Sequence, residues 1–144
     1  MNKIEKAVNC FNQGFACSQA ILSTYSEEFG LNQDIALKVA QGFGGGMGRM
    51  ADICGAVTGA FMVIGLKYGM KDVVDKEAKE KTYKLVKEFA DRFKLRNKTI
   101  VCRELLCCDM STKEGMKIIK EKNLFTTLCP KFVQDAAEIL EEIL

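Results

Sequence analysis

The stretch ICGAVTGAFMVIGLKY, residues 53–68, decides the fold. It is apolar nearly all round, and its small residues recur four apart, Gly55 with Gly59 and Ala56 with Ala60. That spacing is one face of an α-helix, and a helix without a polar side belongs in the middle of a bundle. The small residues let a neighbouring backbone come close. Working outward, apolar positions recur three or four apart almost everywhere, and the strict alternation of a half-buried strand is sustained nowhere. The chain is therefore expected to be all-α: a single-domain multi-helix bundle over residues 1–144, with a glycine-rich loop before a central apolar helix.

On the amino-terminal side, Ile4, Ala7, Val8 and Phe11 mark a first helix that should stop between Asn12 and Gly14. A second is predicted from about Ala16 to Glu28, stopping at Gly30, and a third is capped by Asn32 or Asp34 with Ile35, Val39 and Ala40 on its apolar face. The run GFGGGMG, residues 42–48, cannot be regular helix, because each interior glycine costs about 1 kcal/mol relative to alanine. It reads as a loop, either a tight turn between packed helices or a place where bare backbone reaches the cysteine at the next helix start. The match of Gly46 to Ala51 to a dinucleotide-binding glycine pattern carries little weight, since no strand precedes it. Beyond the central helix, a long amphipathic helix should run from about Val74 to Leu95, with Arg96 to Lys98 as a short connection. Thr99 should cap a short helix through Leu106. Ser111 or Thr112 should start another that ends by Asn123. A last helix follows Pro130.

Composition narrows the function. The 144 residues are 48% hydrophobic and 28% charged with a formal net charge of +2. Gross charge therefore gives no reason to expect a nucleic acid or an anionic membrane as partner. No apolar run approaches the ~20 residues that cross a bilayer. The charged amino-terminal segment lacks the apolar core of a secretory signal, and the odd number of cysteines, seven, fits free thiols, so a cytoplasmic location is expected. There is no histidine. Ser-His and Cys-His dyads and imidazole-ligated metals are excluded, and any chemistry falls to other groups.

Those groups are thiols. No C-x-x-C pair exists among Cys10, Cys17, Cys54, Cys102, Cys107, Cys108 and Cys129. Placement on the predicted helices says more. Cys17 lies in the first turn of the second helix and Cys54 follows Asp52, a natural cap. Cys102 sits three residues after Thr99, and Cys129 precedes Pro130, a residue favoured at a first helical position. A helix start carries partial positive charge and unpaired N–H groups, so these four thiols are expected to have lowered pKa values. Cys10 reads as packing, and the adjacent Cys107 and Cys108 as an incidental pair.

These residues resemble a family of small bacterial and archaeal redox-active proteins named for a C…GCAxxG…C…C cysteine pattern. The resemblance runs nearly end to end, through GFAC at 14–17, GFGGGM at 42–47, CGAVTG at 54–59, CRELL at 102–106 and Cys129. The core here reads Cys-Gly-Ala-x-x-Gly. The resemblance implies that Cys17, Cys54, Cys102 and Cys129 are the shared cysteines, while Cys10, Cys107 and Cys108 fall outside them.

Three functions follow. In the first, Cys54 is the nucleophile in thiol–disulfide exchange or electron transfer, Cys17, Cys102 or Cys129 resolves the mixed disulfide, and a small thiol, an electrophile or a redox partner supplies the other half. In the second, Cys17, Cys54, Cys102 and Cys129 together ligate zinc or an iron–sulfur cluster. In the third, the cysteines only pack, and the protein is a helical interaction module that dimerises through the Gly55 and Gly59 face.

Overall fold

A computed structural model describes all of residues 1–144 and is helical, with no strand. We number its helices α1 (Lys3–Asn12), α2 (Cys17–Ser26), α3 (Gln33–Gln41), α4 (Gly55–Tyr68), α5 (Lys76–Asn97), α6 (Cys102–Leu105), α7 (Lys113–Glu121), α8 (Leu124–Thr127) and α9 (Cys129–Ile143). Side chains cap four of the nine starts. Asn2, Asn32, Asp75 and Thr112 each accept a hydrogen bond from the N–H three residues on, at Glu5, Ile35, Ala78 and Gly115. Gly30 closes the end of the α2 segment in a left-handed conformation.

Helix α4 is the centre. It packs on α2, α5 and α9, while α1 lies across α2 and α9. Its small residues are used within the chain. A Cβ at position 59 would stand 3.0 Å from the Ser18 carbonyl oxygen and 3.1 Å from Ile21 Cβ, and one at position 55 would stand 3.0 Å from the Ser18 nitrogen. Helix α2 therefore occupies the Gly55 and Gly59 face, which is not free to join a second copy as expected from the sequence.

Four aromatic rings carry the packing from α4 through α5 to α9. Phe61, Phe89, Phe93 and Phe132 follow one another with centroids 6.0, 6.2 and 6.4 Å apart. Outside them, Arg92 and Arg96 of α5 pair with Glu142, Glu138 and Asp135 of α9.

Three local expectations change. On α3 the buried residues are Ala36 and Ala40, while Ile35 and Val39 are each 52% exposed. The helix approaches α2 so closely that the Ser18 hydroxyl donates to the Ala40 carbonyl at 2.7 Å, which suits an alanine face better than a branched one. Helix α5 continues through the segment expected as a connection and ends at Lys98, with positive φ. Helix α9 starts at Cys129, with Pro130 second, and follows the unforeseen single turn α8.

The glycine-rich run is neither an open loop nor ordinary helix. Residues 45–49 all have positive φ, from 58° to 67°, and so coil left-handed. Glycine bears this without penalty, but an ordinary residue pays about 1–2 kcal/mol. Met47 and Arg49 therefore hold this conformation because the surrounding bonds impose it, among them Arg49 N–H to Gly44 O and Asp52 N–H to Gly46 O.

Candidate functional site

Two of the four helix-start cysteines are placed by one short backbone pairing. Ile53 and Val101 form an isolated antiparallel bridge. The Cys54 N–H donates to Ile100 O at 2.8 Å and the Cys102 N–H donates to Asp52 O at 2.6 Å. The starts of α4 and α6 are thus held side by side despite their separation along the chain. Cys54 itself is the N-cap of α4, and Asp52, expected as the cap, is exposed.

Glycines bring the other walls in. A Cβ at position 55 would lie 3.3 Å from Cys17 Cβ, and one at position 46 only 2.8 Å from Cys102 Cβ. Bare backbone does approach a cysteine here. The cysteine under the glycine turn is Cys102, however, rather than Cys54 at the next helix start. Cys129 completes the group from the first position of α9. All four line one cavity of about 890 Å³, with Phe11, Phe15, Leu106, Met110 and Phe132 among its apolar walls. Its only charged lining residue is Arg49.

Burial reverses most of the expected electrostatics. The Cys54 thiol is pushed up to about 12 by burial, against the opposing pull of the Ala56 and Val57 N–H groups. Cys102 is also pushed up to about 12, first by burial and then by the charge that Cys54, Cys129 and Asp109 would carry beside it. The partial charge of a helix start falls off within a turn, whereas desolvation acts on the whole thiolate. The expectation of lowered pKa values therefore fails at Cys54 and Cys102.

Cys17 and Cys129 behave as a pair. The neighbouring Cys129 thiol raises Cys17 well above the ordinary thiol value, with burial adding to it. Cys17 in turn lowers Cys129, against the burial of Cys129 itself. Cys129 is thus the more readily deprotonated member of the pair. Among the four, only Cys129 has the lowered pKa expected from the sequence.

The remaining cysteines lie elsewhere. Cys10 is half-buried with its sulfur 3.8 Å from the Ser23 hydroxyl, Cys107 is exposed, and Cys108 is half-buried. All seven thiols are free, and no three Cys, Asp or Glu side chains are gathered in an arrangement that holds a metal ion. No helix is long and apolar enough to cross a membrane.

Reading the sequence missed Arg49 as a cavity residue. Its signal was available as the only basic residue adjoining the glycine run, at a position that the run carries back toward the cysteines. A family model described as "Putative redox-active protein (C_GCAxxG_C_C)" matches residues 15–143. No curated protein and no solved structure matches the chain.

Proposed function

The chain belongs to the C_GCAxxG_C_C redox-active family, and we propose that its redox chemistry is thiol–disulfide exchange initiated by Cys129. The observation that carries this is the convergence of four cysteines on one cavity, where Cys129 is the one whose pKa is lowered, by its neighbour Cys17. A thiolate is the attacking species, and an adjacent thiol is what resolves the product. Cys54, expected from the sequence as nucleophile, is about as buried as Cys129, 4% against 7% exposed, but unlike it is held protonated by burial. It fits an inner role better.

The step balances as follows. The Cys129 thiolate attacks one sulfur of a disulfide R–S–S–R′. The substrate S–S bond breaks, Cys129–S–S–R forms, and R′–S⁻ leaves and takes a proton from water. Cys17 then releases its proton, attacks the Cys129 sulfur and expels R–S⁻, which is protonated in turn. Two electrons pass from the two cysteines to the substrate, and an external dithiol reductant restores them. Cys54 and Cys102, side by side across the bridge, form a second dithiol that can take over the disulfide by exchange.

The test uses the full chain with Cys10, Cys107 and Cys108 changed to serine, challenged with a limiting small disulfide and mapped by mass spectrometry. In the Cys17→Ser form a stable mixed disulfide is expected on Cys129. In the Cys129→Ser form the fast phase should vanish. A fast phase that survives Cys129→Ser rejects this assignment.

Four sulfurs around one cavity also support a second reading, a four-cysteine site for zinc or an iron–sulfur cluster. It requires the sulfurs to draw together from their present positions. Protein prepared anaerobically with supplemented zinc and iron decides this, by metal content and by absorption near ~400 nm, the thiolate-to-iron region.

A further inference from the structure

The charges around the cavity point to the kind of substrate that enters it. No carboxylate lines the space, although Asp109 lies near enough to act on Cys102, and its one cation, Arg49, takes part in none of the molecule's ion pairs. The Arg49 side chain folds back over the glycine turn, where a Cβ at position 45 would meet Arg49 Cγ at 2.9 Å.

The turn beneath it is a second, independent source of positive potential. The N–H groups of Gly44, Gly45 and Gly46 find no acceptor within the protein, although Gly46 is buried. Unpaired backbone donors in a buried place are rare, because each forfeits a hydrogen bond to water. Here φ changes from negative at Gly44 to +66° at Gly45, an alternation of handedness that turns successive N–H groups into one concavity suited to an anion. All three glycines line the same cavity as the four cysteines. None of these N–H groups is spent on a thiolate, since Cys102, the cysteine nearest the turn, receives no backbone hydrogen bond.

A neighbouring groove of about 570 Å³ shares Arg49 and Met110 with the cavity and adds Lys113, Lys117 and Lys120 against one acid, Glu121. Only Lys117 approaches Glu121, at 3.9 Å. The approach to the thiols is therefore basic, although the net charge of the whole chain is only +2. Local potential of this kind concentrates anions at a mouth and speeds their entry.

We propose that the cavity takes a low-molecular-weight disulfide bearing an anionic group such as a carboxylate, which Arg49 and the Gly44–Gly46 N–H groups seat while its sulfur faces Cys129. This rests on the thiol-exchange reading and names its substrate class. The recessed donors at Gly46 suit a small anion better than an acidic protein surface, which would reach the lysines but not the turn.

The experiment compares two reagents on the triple-serine background described above: the dianionic bis(nitrobenzoate) disulfide and the neutral dipyridyl disulfide. The ratio of their rate constants at Cys129 should fall about tenfold in Arg49→Gln, the scale of one charge-assisted hydrogen bond. The same ratio should fall as salt rises, because the lysine groove is screened. Separately, 2-nitrobenzoate, which has no disulfide, should shift the Gly44, Gly45 and Gly46 amide resonances saturably, and more weakly in Arg49→Gln. A ratio unchanged by Arg49→Gln, or amides that do not move at tens of millimolar ligand, overturns the anion seat and leaves thiol exchange standing. Saturable amide shifts with no fast reaction of either reagent keep the seat and remove thiol exchange.

Discussion

Opposite pKa shifts separate the two members of the Cys17 and Cys129 pair, and that difference can be measured. Alkylation of Cys129 should rise with pH through an inflection below the ordinary thiol value, because the neighbouring Cys17 lowers it. Cys17→Ala removes that neighbour, so the inflection should move upward; an unmoved profile would show that Cys17 does not set it. Stability has the opposite dependence. A thiol raised in the folded state stabilises the fold below its unfolded pKa and loses that contribution as pH climbs through the folded value. With Cys54 and Cys102 both pushed up to about 12, thermal stability should fall between pH ~9 and pH ~12, and Cys54→Ala should flatten the fall. Which cysteines gather was legible, since each stood at a predicted helix start. The direction of their shifts was not. A helix start is visible in sequence, but desolvation depends on what the other helices bring over it.

At the scale of elements, glycine positions control how near two backbones come. Gly59→Ala places a methyl 3.0 Å from the backbone oxygen of Ser18, so α2 and α4 must part. The expected loss is about 1–3 kcal/mol, read by chemical denaturation. Gly46→Ala is worse placed, since φ is +64° and the new methyl meets Asp52 N at 2.7 Å and Cys102 Cβ at 2.8 Å. Beyond its effect on stability, it should change the reactivity of Cys102, seen as a change in that residue's alkylation rate. The four-residue spacing in α4 announced a close neighbour but not its identity, hence the expectation of a dimer. The reading of α3 held at Ala40 but failed at Ile35 and Val39 for a related reason. Periodicity favoured the larger Ile35 and Val39, whereas the narrow gap beside α2 admits only Ala36 and Ala40.

Across the whole molecule, the ring sequence from Phe61 to Phe132 couples the central helix to the two long helices behind it. Phe89→Ala should cost about 3–5 kcal/mol, a large share of the 5–15 kcal/mol that holds a typical domain, with the urea midpoint as readout. If fast thiol reactivity survived such unfolding, the cavity would not be its origin. The all-α architecture was legible because periodicity is a property of each segment alone. The basic groove was not, because it joins Arg49 to lysines of α7 across the chain. The distribution of the four cysteines over α2, α4, α6 and α9 has one more result. During translation Cys17, Cys54 and Cys102 leave the ribosome as ordinary mercaptans, and Cys129 follows last. On the exchange mechanism, the nascent polypeptide lacks its attacking thiol until its closing coil is synthesised, so maturation of the redox centre keeps time with its folding.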